Sequence, residues 1–156
     1  MILNAAGLSI IKDFEGLVDG DPSTPGLEPY LDPVGIPTLG WGSLWGSDGR
    51  RVTMNHLSIS KIEAGRLLSR EVRHVERQVA YLVTAKLTSN QFSALVSLVY
   101  NIGSGNFQAS TLRRLINRNE YEKAADEFPK WRRAGGRILP GLVRRRGVER
   151  ALFLTV

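Results

Sequence analysis

The chain has 156 residues, no cysteine and only two histidines. Without cysteine the fold cannot depend on disulfides, and it is therefore compatible with a reducing compartment. His56 and His74 lack the paired spacing of metal ligands, so we expect neither a metal site nor another cofactor. No apolar run is long enough to span a bilayer, and the first residues lack the basic leader of a secretory signal. We therefore expect that the protein does not cross a membrane by itself.

Acidic side chains are few in the second part of the chain. Residues 61–156 hold 18 basic and 8 acidic side chains, whereas residues 1–60 hold 3 basic and 7 acidic ones. A basic half favours a polyanionic partner, which could be nucleic acid, an anionic membrane surface or an acidic cell-wall polymer. A basic face kept only for solubility explains the charge equally well. The hydrophobic content of 42% is ordinary for a soluble globular protein, and the length predicts a single domain over residues 1–156.

Local signals divide the first part of the chain into a helix, a loop and a small sheet. Asn4 is a good N-cap for a helix that runs to about Glu15, where Gly16 ends it. Residues 19–29 contain three prolines and two glycines, and we expect them to form a loop. Residues 30–53 alternate apolar positions with turn residues, which predicts short strands packed by Trp41 and Trp45.

The remainder of the chain is predicted to be helical. Ser60 and Thr88 each begin a capping motif, the first for a long helix to about Val83 and the second for an apolar core helix. Ser110 or Thr111 caps a helix to about Asn117. Another helix covers Glu120–Phe128. The last begins at Pro140-Gly141, with its inward side chains at Leu142, Val148, Ala151 and Leu152.

Together these patterns predict an α+β fold that is mainly helical. A small N-terminal β-hairpin lobe covers about residues 15–59. A larger helical lobe contains residues 1–14 with 60–156, and the long helix joins the two lobes.

Two carboxyl groups stand in different predicted environments. Glu15 lies at a helix C-terminus, where the helix dipole disfavours an anion, and we expect it to hold a proton near neutral pH. Asp32 lies in a polar hairpin and should stay ionised, with Thr38 six residues later able to help it hold a water molecule. Such a pair is typical of acid-catalysed glycoside cleavage. On local chemistry alone, a solvated Glu15 and turn-capping roles for Asp32 and Thr38 are the more common outcome.

Several separated motifs resemble those of the phage-type lysozymes, glycoside hydrolase family 24, which act as endolysins. They occur in the family's order along almost the whole chain. They are Phe14-Glu15-Gly16, Tyr30-x-Asp32, Thr38-x-Gly40-x-Gly42, Leu87–Leu95, Tyr100–Gly105 and Leu139–Arg146 followed by Glu149 and Arg150.

The resemblance implies a lysozyme-like fold and a role for each matching position. Glu15 would be the general acid, Asp32 the base or electrostatic partner of an attacking water, and Thr38 a residue that helps to hold that water. Two carboxyls that leave room for water are typically about 6.5–9.5 Å apart in an inverting enzyme. The matching positions also imply a saccharide cleft lined by Leu44, Tyr100, Ser110 and Thr111.

The implied activity is that of a muramidase that cleaves the β-1,4 bond between N-acetylmuramic acid and N-acetylglucosamine in peptidoglycan. Such an endolysin would be a monomer that stays in the host cytoplasm until a holin permeabilises the inner membrane. A lytic transglycosylase acting on the same bond is one alternative, although it needs no water-holding partner such as Asp32 with Thr38. A basic helical module that binds nucleic acid is the other, and it leaves the acidic first part of the chain unexplained.

Two positions depart from the family pattern. Glu15 and Asp32 are 17 residues apart, more than in compact members, and the excess is the loop 19–29. Asp19 and Asp21 lie nearer to Glu15, but only Asp32 keeps the Tyr-x-Asp context and the offset to Thr38. Ser43 stands where many members carry histidine.

A run of arginines near the C-terminus has two interpretations. Residues 129–150 carry eight basic side chains and a single acidic one, Glu149. The run could be a solvated surface with one or two arginines paired internally. Alternatively, Arg144, Arg145 and Arg146 could bind an anionic envelope polymer and speed encounter with the wall.

Overall fold

The computed structural model describes residues 1–155, so Val156, which the predicted domain includes, lies outside the described residues. The α-helices are α1 (Ala5–Glu15), α2 (Lys61–Leu82), α3 (Ser89–Ile102), α4 (Ser104–Ala109), α5 (Thr111–Asn117), α6 (Tyr121–Ala125) and α7 (Pro140–Leu154). The strands are β1 (Tyr30–Leu31), β2 (Pro37–Thr38), β3 (Arg133–Ala134) and β4 (Arg137–Ile138), and a 3₁₀ helix covers Phe128–Lys130.

The chain divides into two compact units. The small unit is Glu15–Glu71, and the helical unit is Met1–Phe14 with the chain from Val72 onward. The long helix predicted after Ser60 is confirmed as α2, and its first half belongs to the small unit. That both units form one domain stays a prediction.

Helix α1 has the boundaries that its capping residues predict. The backbone N–H of Gly7 donates to Asn4 Oδ1 at 3.0 Å, which satisfies one of the unpaired donors of the first turn. Gly16 has φ 72°, a left-handed conformation that favours glycine and ends a helix. The helix therefore ends on Glu15, as predicted.

The small unit contains a short antiparallel pair of strands, β1 and β2, and the chain after β2 approaches α2. Tyr30 pairs with Thr38 in this ladder. Gly40 follows β2 with φ 58°, and a Cβ atom there would come within 2.8 Å of the Cβ of Ala64 in α2. Backbone and helix thus approach more closely than any side chain at residue 40 would allow.

The prediction that both tryptophans pack this sheet holds for one of them. Trp41 is buried, but Trp45 is 47% exposed. Its ring lies against the exposed Arg51, whose guanidinium carbon is 5.4 Å from the ring centre, while its backbone carbonyl accepts a hydrogen bond from Arg70 at 2.8 Å. The prediction for Trp45 is wrong.

In the helical unit, α3 is the central core helix that its sequence predicts. Thr88 and Gln91 form a complete capping box at its start, and every residue from Phe92 to Val99 is buried. The chain turns at Gly103 and continues directly into α4. Neither α4 nor the β3–β4 hairpin was predicted, because both are too short to show a periodic pattern.

Helix α7 presents only part of the predicted face to the core. Leu142 and Leu152 are half-buried, but Val148 and Ala151 are exposed, and the buried side chains are Arg145, Arg146, Glu149 and Phe153. Glu149 Oε1 accepts hydrogen bonds from Ser97 Oγ at 2.7 Å and from both arginines at 3.1 Å. Because the buried carboxylate pairs with both guanidinium groups, the helix can bury these ionic side chains.

The prediction that Arg144, Arg145 and Arg146 together form a polymer-binding surface is wrong, because two of these side chains are buried. Arg145 and Arg146 are 3% and 0% exposed and pair with Glu149. They cannot contact a polymer in solvent. Only Arg144 of the three is exposed.

Glu149 should be the most sensitive position in the helical unit. Glu149→Gln leaves two buried guanidinium groups without a carboxylate, and we expect it to lower the free energy of unfolding by about 3–5 kcal/mol. Urea denaturation measures this. The matched control is Asp126→Asn, which breaks the exposed 2.8 Å pair with Arg150 and should cost at most ~1 kcal/mol. Equal losses in the two variants would contradict the assignment.

Candidate active site

Glu15 stands at the junction between α1 and the loop that follows. It is half-buried, and the backbone of Gly42 lies beside its carboxyl group. A Cβ atom built on Gly42 would be 3.8 Å from Glu15 Oε2. The segment after β2 therefore passes along this carboxyl group, and the φ of 99° at Gly42 is what favours glycine at this position.

Asp32 follows β1 and is fixed by the turn that it begins. Its Oδ1 accepts hydrogen bonds from the backbone N–H groups of Val34 at 2.9 Å and Ile36 at 2.8 Å. Its own N–H donates to the Ile36 carbonyl at 3.0 Å. One carboxylate oxygen is thus held by the backbone, while no described residue donates a hydrogen bond to Oδ2.

Thr38 is 2% exposed in β2, and its hydroxyl is oriented by the same turn. Thr38 Oγ1 donates to the Ile36 carbonyl at 2.8 Å. Because the hydroxyl proton is used there, the oxygen can interact with a water molecule only as an acceptor. The backbone of Ile36 therefore holds both Asp32 and Thr38, which the sequence analysis paired.

Tyr30 connects the two predicted carboxyl groups. Its phenol donates to the Gly40 carbonyl at 3.2 Å. Burial raises the pKa of Tyr30 above its ordinary value of 10.0, and the negative charges of Glu15 and then Asp32 raise that pKa further. The phenol therefore lies within electrostatic reach of both carboxyl groups.

Tyr30 is not among the predicted site residues, although the Tyr-x-Asp motif that selects Asp32 contains it. The small unit by itself thus assembles Glu15, Tyr30, Asp32 and Thr38. This arrangement combines a carboxyl at a helix end, a second carboxylate with one oxygen left for another ligand, and an oriented hydroxyl.

The residues predicted to contact saccharide belong to both units. Leu44, in the small unit, is half-buried, and its carbonyl accepts from the Val52 N–H at 2.8 Å. Tyr100, in the helical unit, is half-buried in the last turns of α3. Their contact with saccharide stays a prediction.

Ser110 and Thr111 differ in how far they are free to bind a ligand. Ser110 is 7% exposed and is the N-cap of α5, since its Oγ donates to the Phe107 carbonyl at 2.6 Å and accepts from the Arg113 N–H at 3.0 Å. Thr111 is exposed, with Oγ1 accepting from Arg114 at 2.9 Å. The capping bonds occupy the Ser110 hydroxyl, so the predicted saccharide contact now concerns Thr111 more than Ser110.

Within residues 1–155, no group of three or more histidine and carboxylate side chains is arranged to hold a metal ion. No helix in the same range combines the length and apolar character needed to cross a membrane.

Comparison with known proteins identifies the family. The phage lysozyme family model matches residues 12–149. The chain belongs to the phage lysozyme family. It is 39% identical to the endolysin of Bacillus phage B103 over 99% of its own length and 55% of that protein's length.

Solved phage lysozyme structures share the architecture. A mutant of P22 lysozyme has 35% identity and a TM-score of 0.82, with 99% of each chain covered. The muramidase domain of SpmX from Asticaccaulis excentricus has 33% identity and a TM-score of 0.78, covering 99% of this chain and 98% of that one. The predicted lysozyme-like α+β fold is confirmed. This phage lysozyme chain spans about half the length of the two Bacillus phage endolysins that it matches.

Tyr30 should affect both stability and its dependence on pH. Tyr30→Phe removes the hydrogen bond to Gly40, and we expect a loss of about 1 kcal/mol in the free energy of unfolding at pH 8. Since the pKa of Tyr30 is raised in the folded state, its contribution is complete below pH 10.0 and is lost as the pH rises above that value. The decline in stability between pH 8 and pH 11 should therefore be shallower in Tyr30→Phe.

Denaturation by urea at several pH values measures both effects. Tyr81, 85% exposed, supplies the control, and Tyr81→Phe should change the stability at pH 8 by less than about 0.5 kcal/mol. An alkaline decline of equal slope in wild type and Tyr30→Phe would contradict the role given to the buried phenol.

Proposed function

We propose that this phage lysozyme is a muramidase that hydrolyses the β-1,4 bond between N-acetylmuramic acid and N-acetylglucosamine in peptidoglycan. The observation that carries the proposal is the Asp32 carboxylate, which two backbone N–H groups fix through Oδ1, in the same small unit as Glu15 at the end of α1. Two carboxyl groups in unlike environments are what glycoside hydrolysis requires.

In the proposed reaction, Glu15 donates its proton to the glycosidic oxygen as the bond from the anomeric carbon to that oxygen breaks. A water molecule held by Asp32 Oδ2 and Thr38 Oγ1 attacks the anomeric carbon from the opposite face, and Asp32 accepts the proton that this water loses. The new C–O bond forms as the old one breaks, so the configuration inverts. The turn at Ile36 prepares this half of the site before substrate binds.

The names of the similar proteins support the same class of activity. One is called an endolysin and another a muramidase domain. By the same likeness we propose that the protein lyses the host at the end of a phage cycle. It would act as a monomer released from the cytoplasm by a holin, and peptidoglycan glycan strands would be its substrate.

A lytic transglycosylase is the alternative on the same bond. It forms an anhydro sugar without water, and therefore needs no second carboxylate next to the reacting carbon. The backbone bonds that orient Asp32 favour hydrolysis, because they fix a carboxylate that a transglycosylase would not use. Nucleic acid as the main partner has no comparable support in the small unit.

Glu15→Gln is the direct test. It keeps the shape of the side chain but removes the proton donor, so we expect the rate of hydrolysis of purified peptidoglycan to fall about 10²–10⁴-fold. Mass spectrometry of the wild-type products should find reducing-end muramic acid. Anhydro muramic acid would favour the transglycosylase instead.

The role of Asp32 as the second carboxylate is tested by Asp32→Asn, with Asp21→Asn as the matched control. Asp32→Asn should abolish most of the hydrolysis. Asp21→Asn, in the exposed turn with Ser23, should leave the rate close to that of wild type. The reverse result would move the catalytic role to the loop 19–29.

The basic surface is also retained in the proposal, but with different residues. Four exposed arginines without an ion pair to any described residue lie on the β3–β4 hairpin, its flank and the start of α7. They are Arg132, Arg133, Arg137 and Arg144. The register pairs Ala134 with Arg137, and the Leu139 N–H bond to the Arg132 carbonyl continues the ladder, so Arg132 and Arg137 project from one face. We propose that this face attracts the anionic envelope polymer.

Salt should therefore slow the lysis of whole cell walls. Because screening weakens long-range attraction, the lytic rate should fall steeply as the ionic strength rises. Changing Arg132 and Arg137 to Gln should flatten this dependence. An equal change of charge at Arg73 and Arg77, also exposed, is the control and should leave most of it. Equal flattening in both variants would mean that net charge alone is responsible.

A further inference from the structure

Trp45 is the large aromatic side chain of the small unit that the core does not use. It is 47% exposed, whereas Trp41, four residues earlier, is 6% exposed. Trp45 forms an antiparallel bridge with Arg51, and the Arg51 guanidinium carbon lies 5.4 Å from the centre of the indole ring. The cation and the aromatic face therefore stabilise each other at the surface.

The backbone under this pair is held in place from α2. Arg70 donates from Nη2 to the Trp45 carbonyl at 2.8 Å and from Nη1 to the Gly46 carbonyl at 2.9 Å. The Gly46 N–H donates to the Arg50 carbonyl at 2.9 Å, which closes the turn. An exposed aromatic side chain on a fixed backbone loses little conformational entropy when a ligand covers it.

Arg51 retains its hydrogen-bonding capacity. Within residues 1–155 its side chain forms the contact with Trp45 but no hydrogen bond or ion pair. A guanidinium group has five N–H donors and matches a carboxylate with two parallel bonds. The group beside the ring is therefore suited to an acidic substituent of whatever covers the indole.

The position in the chain connects this pair to the candidate site. Trp45 is three residues from Gly42, whose backbone lies beside the Glu15 carboxyl group. Three residues span at most about 11 Å. A polymer bound at Glu15 can therefore reach the indole.

We infer that Trp45 and Arg51 form an additional subsite for the glycan strand, an inference that rests on the proposed function. The apolar face of a sugar ring stacks on the indole, and Arg51 binds a free carboxylate of the peptide attached to the strand. The subsite favours peptide-bearing glycan over neutral oligosaccharide, because only the former satisfies both residues.

Binding should be measured in the Glu15→Gln background, in which the ligand is not consumed. Isothermal titration uses two probes, a neutral N-acetylglucosamine tetramer and a soluble glycan fragment that carries peptides with free carboxylates. Trp45→Ala should weaken both about tenfold, which corresponds to ~1.4 kcal/mol. Arg51→Gln should weaken only the peptide-bearing fragment.

Matched variants guard against general effects of the substitutions. Leu57→Ala removes a side chain that is 84% exposed in the same unit, and Arg50→Gln removes the neighbouring exposed charge. Both should leave the two affinities unchanged. Trp45→Phe keeps an aromatic ring and should retain most of the affinity, which excludes misfolding as the cause of the loss in Trp45→Ala.

Two results would overturn the inference. The first is a Trp45→Ala variant that binds both probes as tightly as Leu57→Ala does. The second is an Arg51→Gln variant that weakens the two probes equally. Failure of the proposed function is seen separately, as an unmodified chain that binds the probes but releases no product from peptidoglycan.

Discussion

The helical unit depends on the buried ion pairs that the Glu149 carboxylate forms with Arg145 and Arg146. This carboxylate binds Arg145, Arg146 and Ser97 at once, so that α7 and α3 share one charge centre. The two guanidinium groups bring more positive charge than one carboxylate neutralises. Arg146 also donates to Asn101 Oδ1 at 3.0 Å, and the Arg145 guanidinium carbon lies 5.8 Å from the centre of the Phe14 ring. These contacts spread the excess charge over oxygen atoms and an aromatic face, and they tie the end of α1 to the same cluster.

The small unit uses a different principle, in which neighbouring backbone groups fix the side chains of the site. Asp32 and Thr38 both bond to Ile36, and Tyr30 bonds to Gly40. All of these partners lie within eleven residues of chain, from Tyr30 to Gly40. The geometry of Asp32, Thr38 and Tyr30 therefore depends on local turns and on the close contact of Gly40 with α2, and it forms together with the hairpin itself.

Features decided by local chemistry were predictable from sequence. The caps at Asn4, Ser60 and Thr88 and the stop at Gly16 depend on residues within one turn of the helix ends, and each is confirmed. Features decided by distant partners were not predictable. Arg145 and Arg146 read as surface charges because Ser97 and Asn101, which help to bury them, lie in another helix. Trp45 was predicted to be a core residue because nothing in the sequence shows that its ring lies beside Arg51 at the surface.

For the site, the choice of Glu15, Asp32 and Thr38 came from the family resemblance, and their catalytic roles remain proposals. What the fold adds is Tyr30, whose position near both carboxyl groups follows from the hairpin register and from Gly40 and Gly42. Charge counting alone could separate neither the buried arginines from the exposed ones nor a structural carboxylate from a catalytic one.

The contact between Gly40 and Ala64 has a consequence for how the small unit can vary. Residues 40 and 64 occupy one shared volume, which a single methyl group already fills. A larger side chain at either position would push the chain that follows β2 away from α2, so the size of residue 64 limits how closely the chain next to Thr38 can approach this helix.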